Sequence, residues 1–255
     1  MDINELTMTV KNQGRGYPGD CTVSWLDAAS TAHEELASAN LLERELYLAQ
    51  RIREGNRYPQ QRNYHGFYFF SQTRRLVWHE SLLEASMLRW LDHTADIVAV
   101  ATQPMKLVFS NGASHFPDAI AMRATGEQLL IDVKASRYVK DAAVEQFART
   151  SAVCERVGWE YLLFTGLPAA TERNLKFLGL FKHPAFRPGA AATHVLISAL
   201  RVSRMPFGEA ARLLAPDALP QGRSHLLHLL WTREVSCDIT QRLTDTTLIT
   251  EAPNA

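Results

Sequence analysis

The sequence predicts an α/β fold in three parts: a mixed β-sheet flanked by helices over residues 62–167, a helical extension over 1–61, and a helical region over 168–255. Three observations carry this. Short β-branched and aromatic runs alternate with amphipathic stretches between Gly66 and Thr165. Two of those runs, 116–122 and 128–134, flank Ala124-Thr125-Gly126-Glu127 as the arms of a hairpin do. A helix-patterned stretch and another apolar run follow, the order of a crossover that returns parallel to the second arm.

With 255 residues and 46 % hydrophobic content, the chain can build one ordinary domain and a smaller one. No run approaches the roughly 18 apolar residues of a membrane span. Met1-Asp2-Ile3-Asn4-Glu5 lacks the basic-then-apolar order of a signal peptide. A cytoplasmic location away from membranes is therefore expected. Cys21, Cys154 and Cys237 are odd in number and far apart, as reduced thiols rather than a disulfide framework are. A net charge of zero argues against indiscriminate DNA binding by counterion release. Local charge is uneven, because Arg51, Arg53, Arg57, Arg62, Arg74 and Arg75 face only Glu54. Arg173, Lys176, Lys182, Arg187, Arg201 and Arg204 likewise face only Glu172. Both stretches suit phosphate positioning, and both equally suit solvated faces with no ligand.

Residues 1–20 are polar, with Gly14, Gly16, Pro18 and Gly19, and read as loosely docked. Thr31 to Leu48 reads as helix from its alanines, leucines and glutamates, continuing to about Arg53 before Gly55 and Pro59 end it. Phe67 to Phe70 is aromatic-rich and short, hence a strand, and Leu76 to Trp78 is a second. From His79 to Asp92 the spacing is helical, with Leu83, Met87, Trp90 and Leu91 as the buried stripe. Glu84 borders that stripe, and a carboxylate there needs a partner. A solvated or salt-bridged glutamate is the plain alternative.

Ile97 to Ala101 and Lys106 to Phe109 read as strands separated by Gln103-Pro104, with Asn111-Gly112 as the next turn. Period two then governs the hairpin, since alternate side chains share a face. Phe116, Asp118, Ile120 and Met122 share one side of the first arm, and Leu130, Asp132 and Lys134 one side of the second. Folding about Thr125-Gly126 sets position 118 opposite 132 or 133. Two like carboxylates side by side on an apolar hairpin are unfavourable without a cation, and magnesium or manganese suits carboxylate oxygens. A surface hairpin edge with an Asp–Lys pair is the alternative.

Lys140 to Gly158 reads as an amphipathic helix stopped by Gly158, and Trp159 to Thr165 as the returning strand. Gly166-Leu167-Pro168 marks a boundary. Helices follow over Thr171–Leu180, Ala190–Val202 and Phe207–Leu214, with Ser224 as the cap of a fourth that holds Leu226 to Trp231. Val235–Ile239 and Thr246–Thr250 look like a terminal hairpin, and helices followed by a hairpin is the order of a winged-helix module. His225, His228 and Cys237 could make a zinc set, although their irregular spacing fits ordinary helix histidines better. His79, close to Glu84 in the chain, is an accessory candidate, with packing the plainer role. No repeat, Walker loop, dinucleotide fingerprint or nucleophile elbow is present.

Taken together, Ser81-x-x-Glu84, Gln103-Pro104, Pro117-Asp118 and Asp132-Val133-Lys134 resemble the PD-(D/E)XK nuclease signature. In their order they are similar to the TnsA-like endonuclease subunit of heteromeric transposases. The likeness spans residues 62–167 and, more loosely, the carboxy-terminal part, while Asp132 stands where related proteins often carry Glu or Gln. It implies a restriction-endonuclease-like core and Mg2+- or Mn2+-dependent hydrolysis of double-stranded DNA at transposon ends. The implied partners are a DDE-type transposase subunit and an AAA+ ATPase regulator. Asp118 and Asp132 are then expected to ligate the metal, Glu84 to complete or buttress the site, and the Val133 carbonyl to add an oxygen. Lys134 orients water or stabilises phosphate charge, with Gln103 and Gln146 as lesser candidates. A stand-alone restriction or defence nuclease, or a non-catalytic binding subunit with relic acids, also fits the residues.

Overall fold

A computed structural model of the chain describes residues 19–52, 64–138 and 141–252. The expectation for residues 1–20 therefore falls, save its last two positions, outside the described residues, as do Arg53, Gly55 and Pro59. The chain is mixed α/β, with several sheets, and divides into two compact units between Gly166 and Leu167.

The first unit opens on β1 (Cys21–Leu26), whose alternation buries Cys21, Val23 and Trp25. It pairs antiparallel with β2 (Ala32–Leu36). This corrects the helix expected over Thr31–Leu48: 32–36 is a strand, and Ala39–Glu43 and Leu46–Leu48 are single 3-10 turns. The cause is local turn chemistry. Asp27 Oδ1 accepts hydrogen bonds from the Ala29 and Thr31 amides at 2.9 Å each, and Ser30 takes a left-handed φ of 67°. That turn commits 32–36 to pairing, and pairing outweighs a helix preference of only tenths of a kcal/mol per residue.

The chain continues through β3 (Gly66–Phe70), β4 (Arg75–His79), α1 (Leu82–Thr94), β5 (Ile97–Thr102), β6 (Met105–Phe109), β7 (Ser114–His115), β8 (Ala119–Arg123) and β9 (Gln128–Val133). After α2 (Asp141–Val157) comes β10 (Glu160–Phe164). One four-stranded sheet has the order β2-β1-β6-β7, and the other β10-β9-β8-β5. β8 and β9 are antiparallel and β9 and β10 parallel, so hairpin, crossover helix and return strand all form. Gly158, at φ 96°, ends α2 in a left-handed conformation that a side chain would strain. A shared core joins the two sheets and α2, including Val23, Trp25, Leu107, Ile120, Leu130 and Val153. Buried Gln128 stitches it, accepting from the Trp159 indole at 2.9 Å and donating to the Leu42 carbonyl at 2.8 Å. β3 and β4 form a separate ribbon against α1, fixed by Asp92, which accepts from the Tyr68 hydroxyl at 2.9 Å and the Ser71 hydroxyl at 2.7 Å.

The second unit comprises α3 (Ala169–Leu178), α4 (Ala190–Val202), β11 (Met205–Pro206), α5 (Phe207–Leu214), α6 (Leu219–Trp231), β12 (Val235–Cys237) and β13 (Leu248–Glu251). Its three strands are antiparallel in the order β11-β13-β12. Leu196, Phe207, Leu226, Leu230, Trp231 and Ile249 meet in its core. Ser224 is not the expected cap: α6 starts at Leu219 with Pro220 in its first turn, and Ser224 Oγ donates to the Pro220 carbonyl at 3.1 Å. Among the described residues no helix is long and apolar enough to cross a membrane.

Candidate active site

The site lies where the chain passes from one sheet of the first unit to the other. β7 belongs to the first sheet and β8 to the second, so Phe116-Pro117-Asp118 crosses between them. Pro117, which has no amide hydrogen, stands in this crossing and not in either strand, and the strand expected from 116 begins only at Ala119. Ala119 lies opposite Ile131, and one step further along the two arms stand Asp118 and Asp132. Their strand neighbours on the same face, Ile120 and Leu130, are fully buried in the shared core. The pleat thus aims both carboxylates at the side covered by α2.

Asp118, Asp132, Val133 and Lys134 line one cleft of about 620 Å³, together with His115 and Gln146. Ile52, Phe116 and Phe147 supply apolar wall. Asp118 is held at both ends of its residue: its backbone carbonyl accepts from the Gln103 amide at 2.9 Å, and its Oδ2 accepts from the Val133 amide at 2.7 Å. Asp132 is 1 % exposed, and each of its oxygens has a donor. The Tyr161 hydroxyl donates to Oδ2 at 2.6 Å, and His115 Nε2 lies 2.7 Å from Oδ1. Gln146 Nε2 lies 2.7 Å from the other imidazole nitrogen, Nδ1. With Gln146 donating to Nδ1, the ring hydrogen sits on Nε2 and points at Asp132, so Gln146, His115 and Asp132 form one directed chain. Burial, then the negative charge of Asp132, pushes the Tyr161 phenol far above its ordinary pKa, which keeps it a donor.

His115 and Tyr161 were not among the sequence-based site candidates. The signal for Tyr161 is the parallel register of β10 on β9, which sets Leu163 beside Asp132 and Tyr161 beside Leu130 on the same face. For His115 the signal is its place two residues before Pro117 in the crossing.

The remaining candidates stand elsewhere. Glu84 does not line the cleft. Its amide donates to Ser81 Oγ at 3.2 Å, its Oε1 accepts from that hydroxyl at 2.8 Å, and its Oε2 accepts from the Glu80 amide at 2.8 Å. Ser81-x-x-Glu84 is thus a capping box that starts α1, which supplies the partner the carboxylate needed. Gln103 is fully buried behind Asp118, outside the lining, with a left-handed φ of 48°. Among the described residues neither end of its side-chain amide has a hydrogen-bond partner. His79 ends β4 next to Gly66, its pKa lowered by burial, and also lies outside the lining. In the second unit His225 and His228 each turn Nδ1 to a carbonyl, of Phe186 at 2.7 Å and Phe181 at 2.8 Å, which ties α6 to the 181–186 segment. Cys237 is no thiolate, since burial pushes its pKa up to about 12.

Two carboxylates lining one cleft supply oxygen donors suited to a hard divalent ion. Each Asp132 oxygen accepts one hydrogen bond and has a second lone pair that a metal could take. Among the described residues no group of three or more His, Cys, Asp and Glu side chains is arranged for a metal. Magnesium commonly takes one or two carboxylates and completes its shell with water and phosphate oxygens, so the donors here fit it. Compared with models of protein families and with curated proteins, the chain matches none.

Proposed function

We propose that the first unit is a DNA endonuclease that hydrolyses phosphodiesters with Mg2+ or Mn2+, built on a restriction-endonuclease-like core. The observation that carries this is the convergence of Asp118, Asp132, Val133 and Lys134 on one cleft, by way of the hairpin register. Asp118 and Asp132 hold the cation, with the Val133 carbonyl as a further oxygen. Bound there, such an ion polarises the scissile phosphate and acidifies a water. Lys134, exposed on the cleft wall, brings a positive charge to the phosphate. His115 and Tyr161 hold and aim the Asp132 carboxylate, and Gln146 fixes the His115 ring. Glu84 buttresses at one remove, because its capping box anchors the helix that packs on β9.

The transposon-end role, as a TnsA-like subunit beside a DDE-type transposase and an AAA+ ATPase, is supported by the order of the four motifs. The second unit supports a winged-helix reading: after α3 it runs helix, strand, helix, helix and two strands, with β13 central, an order compatible with such a module. The test is magnesium-dependent nicking of transposon-end duplex, with cognate transposase subunits added, for wild type, Asp118→Ala and Lys134→Ala. Each substitution is expected to lower cleavage at least 100-fold, in line with loss of a metal ligand or an electrostatic stabiliser. Active wild type with both variants at full rate would refute the assignment.

A further inference from the structure

The outer face of the β3–β4 ribbon is unusual for a surface. The register sets Phe67 opposite Trp78 and Phe69 opposite Leu76, so these four side chains share one face while Tyr68 and Val77 share the other. Phe67 is 64 % exposed and Leu76 65 %, and Tyr64, just before the ribbon, 66 %. The rings are already ordered among themselves. Phe67 meets Trp78 edge-on at 5.2 Å, His65 stacks on Trp78 at 5.3 Å, and the Arg51 guanidinium lies 4.7 Å from the Trp78 ring centre.

Charge identifies the occupant. β3, β4 and their turn contain no acidic residue, whereas Arg74 is exposed at the turn and Arg51 sits on Trp78. An apolar protein segment needs flat hydrophobic area and gains nothing from two guanidiniums. An unpaired nucleic-acid strand uses both, since bases stack on rings and phosphates meet the arginines. Arg51 also joins this face to the cleft, because the next residue, Ile52, is part of the cleft wall.

We infer that this ribbon face binds an unpaired stretch of DNA strand next to the cleavage cleft, by stacking bases on Phe67 and Phe69. The inference rests on the nuclease reading only for the identity of the strand. Fluorescence anisotropy with a labelled single-stranded oligodeoxynucleotide of about 15 nucleotides, long enough for one such platform, and EDTA present, tests it on the full chain. A Phe67→Ala, Phe69→Ala variant should bind about tenfold more weakly for each ring removed. Phe67→Tyr, Phe69→Tyr should restore binding, and Arg51→Gln should weaken it and flatten its salt dependence. Both rings are exposed, so an unchanged melting temperature is expected to show that the alanine variant is folded. Wild type that binds no single strand, or an alanine variant that binds as wild type does, overturns the inference. So does an alanine variant whose only change is lost self-association in sedimentation, which would make the face a contact between copies. Ring-dependent binding without magnesium-dependent cleavage would count against the nuclease and leave this surface standing, and cleavage with ring-independent binding would do the reverse.

Discussion

Tyr161→Phe isolates one hydrogen bond of the site. The hydroxyl donates over 2.6 Å to a carboxylate that is 1 % exposed, so water cannot replace it without opening the core. Hydrogen bonds to a charged group contribute about 1.5–3 kcal/mol, and the Asp132 oxygen left without its donor places the loss in that range. For a unit of this size each kcal/mol moves the melting temperature by about 2–4 °C, so a fall of about 3–12 °C follows. Urea unfolding followed by circular dichroism measures it, in a cycle with Asp132→Asn. Removing the hydroxyl from the Asp132→Asn variant should cost at least about 1 kcal/mol less than from wild type, because the acceptor is no longer charged. Alkaline pH gives a second reading. The folded phenol titrates well above its unfolded value of about 10, so its stabilisation is complete below that value and declines as pH rises past it. Tyr161→Phe should remove that part of the alkaline decline. A variant within about 0.5 kcal/mol of wild type, below the range for a charged hydrogen bond, with no coupling in the cycle, would refute the reasoning.

Two further substitutions probe the packing. At Gly222 on α6 an added Cβ would lie 2.1 Å from the Ala211 carbonyl oxygen on α5, so Gly222→Ala must separate the helices and should cost about 1–3 kcal/mol or more, read from the melting of the second unit. Gln103→Leu keeps the volume and removes the amide that has no partner among the described residues. It should leave urea stability unchanged or raised, and a loss above about 2 kcal/mol would show that the amide is bonded in solution.

The core elements were legible wherever a short-range rule decides them. Alternation from Ile97 to Lys134 and the Ala124–Glu127 turn are enough to pair the arms, and the pairing puts Asp118 beside Asp132. The helical pattern of 141–157 with Gly158 behind it is enough for the crossover. The region 31–48 was misread because alanine and glutamate favour helix only weakly, while the Asp27 turn and the partner strand β1 act across the hairpin. Glu84 was read for its type, and its neighbours Glu80 and Ser81 turned out to satisfy it locally.

By itself, then, the sequence determined the hairpin, its two acids and the lysine beyond them, because strand period and turn chemistry are local. Only the tertiary structure decided what surrounds those acids. His115 arrives from a second sheet, Tyr161 from a strand 29 residues further on, and Gln146 from the crossover helix. Contacts between residues far apart in the chain depend on how sheets and helix pack, and no local pattern specifies that.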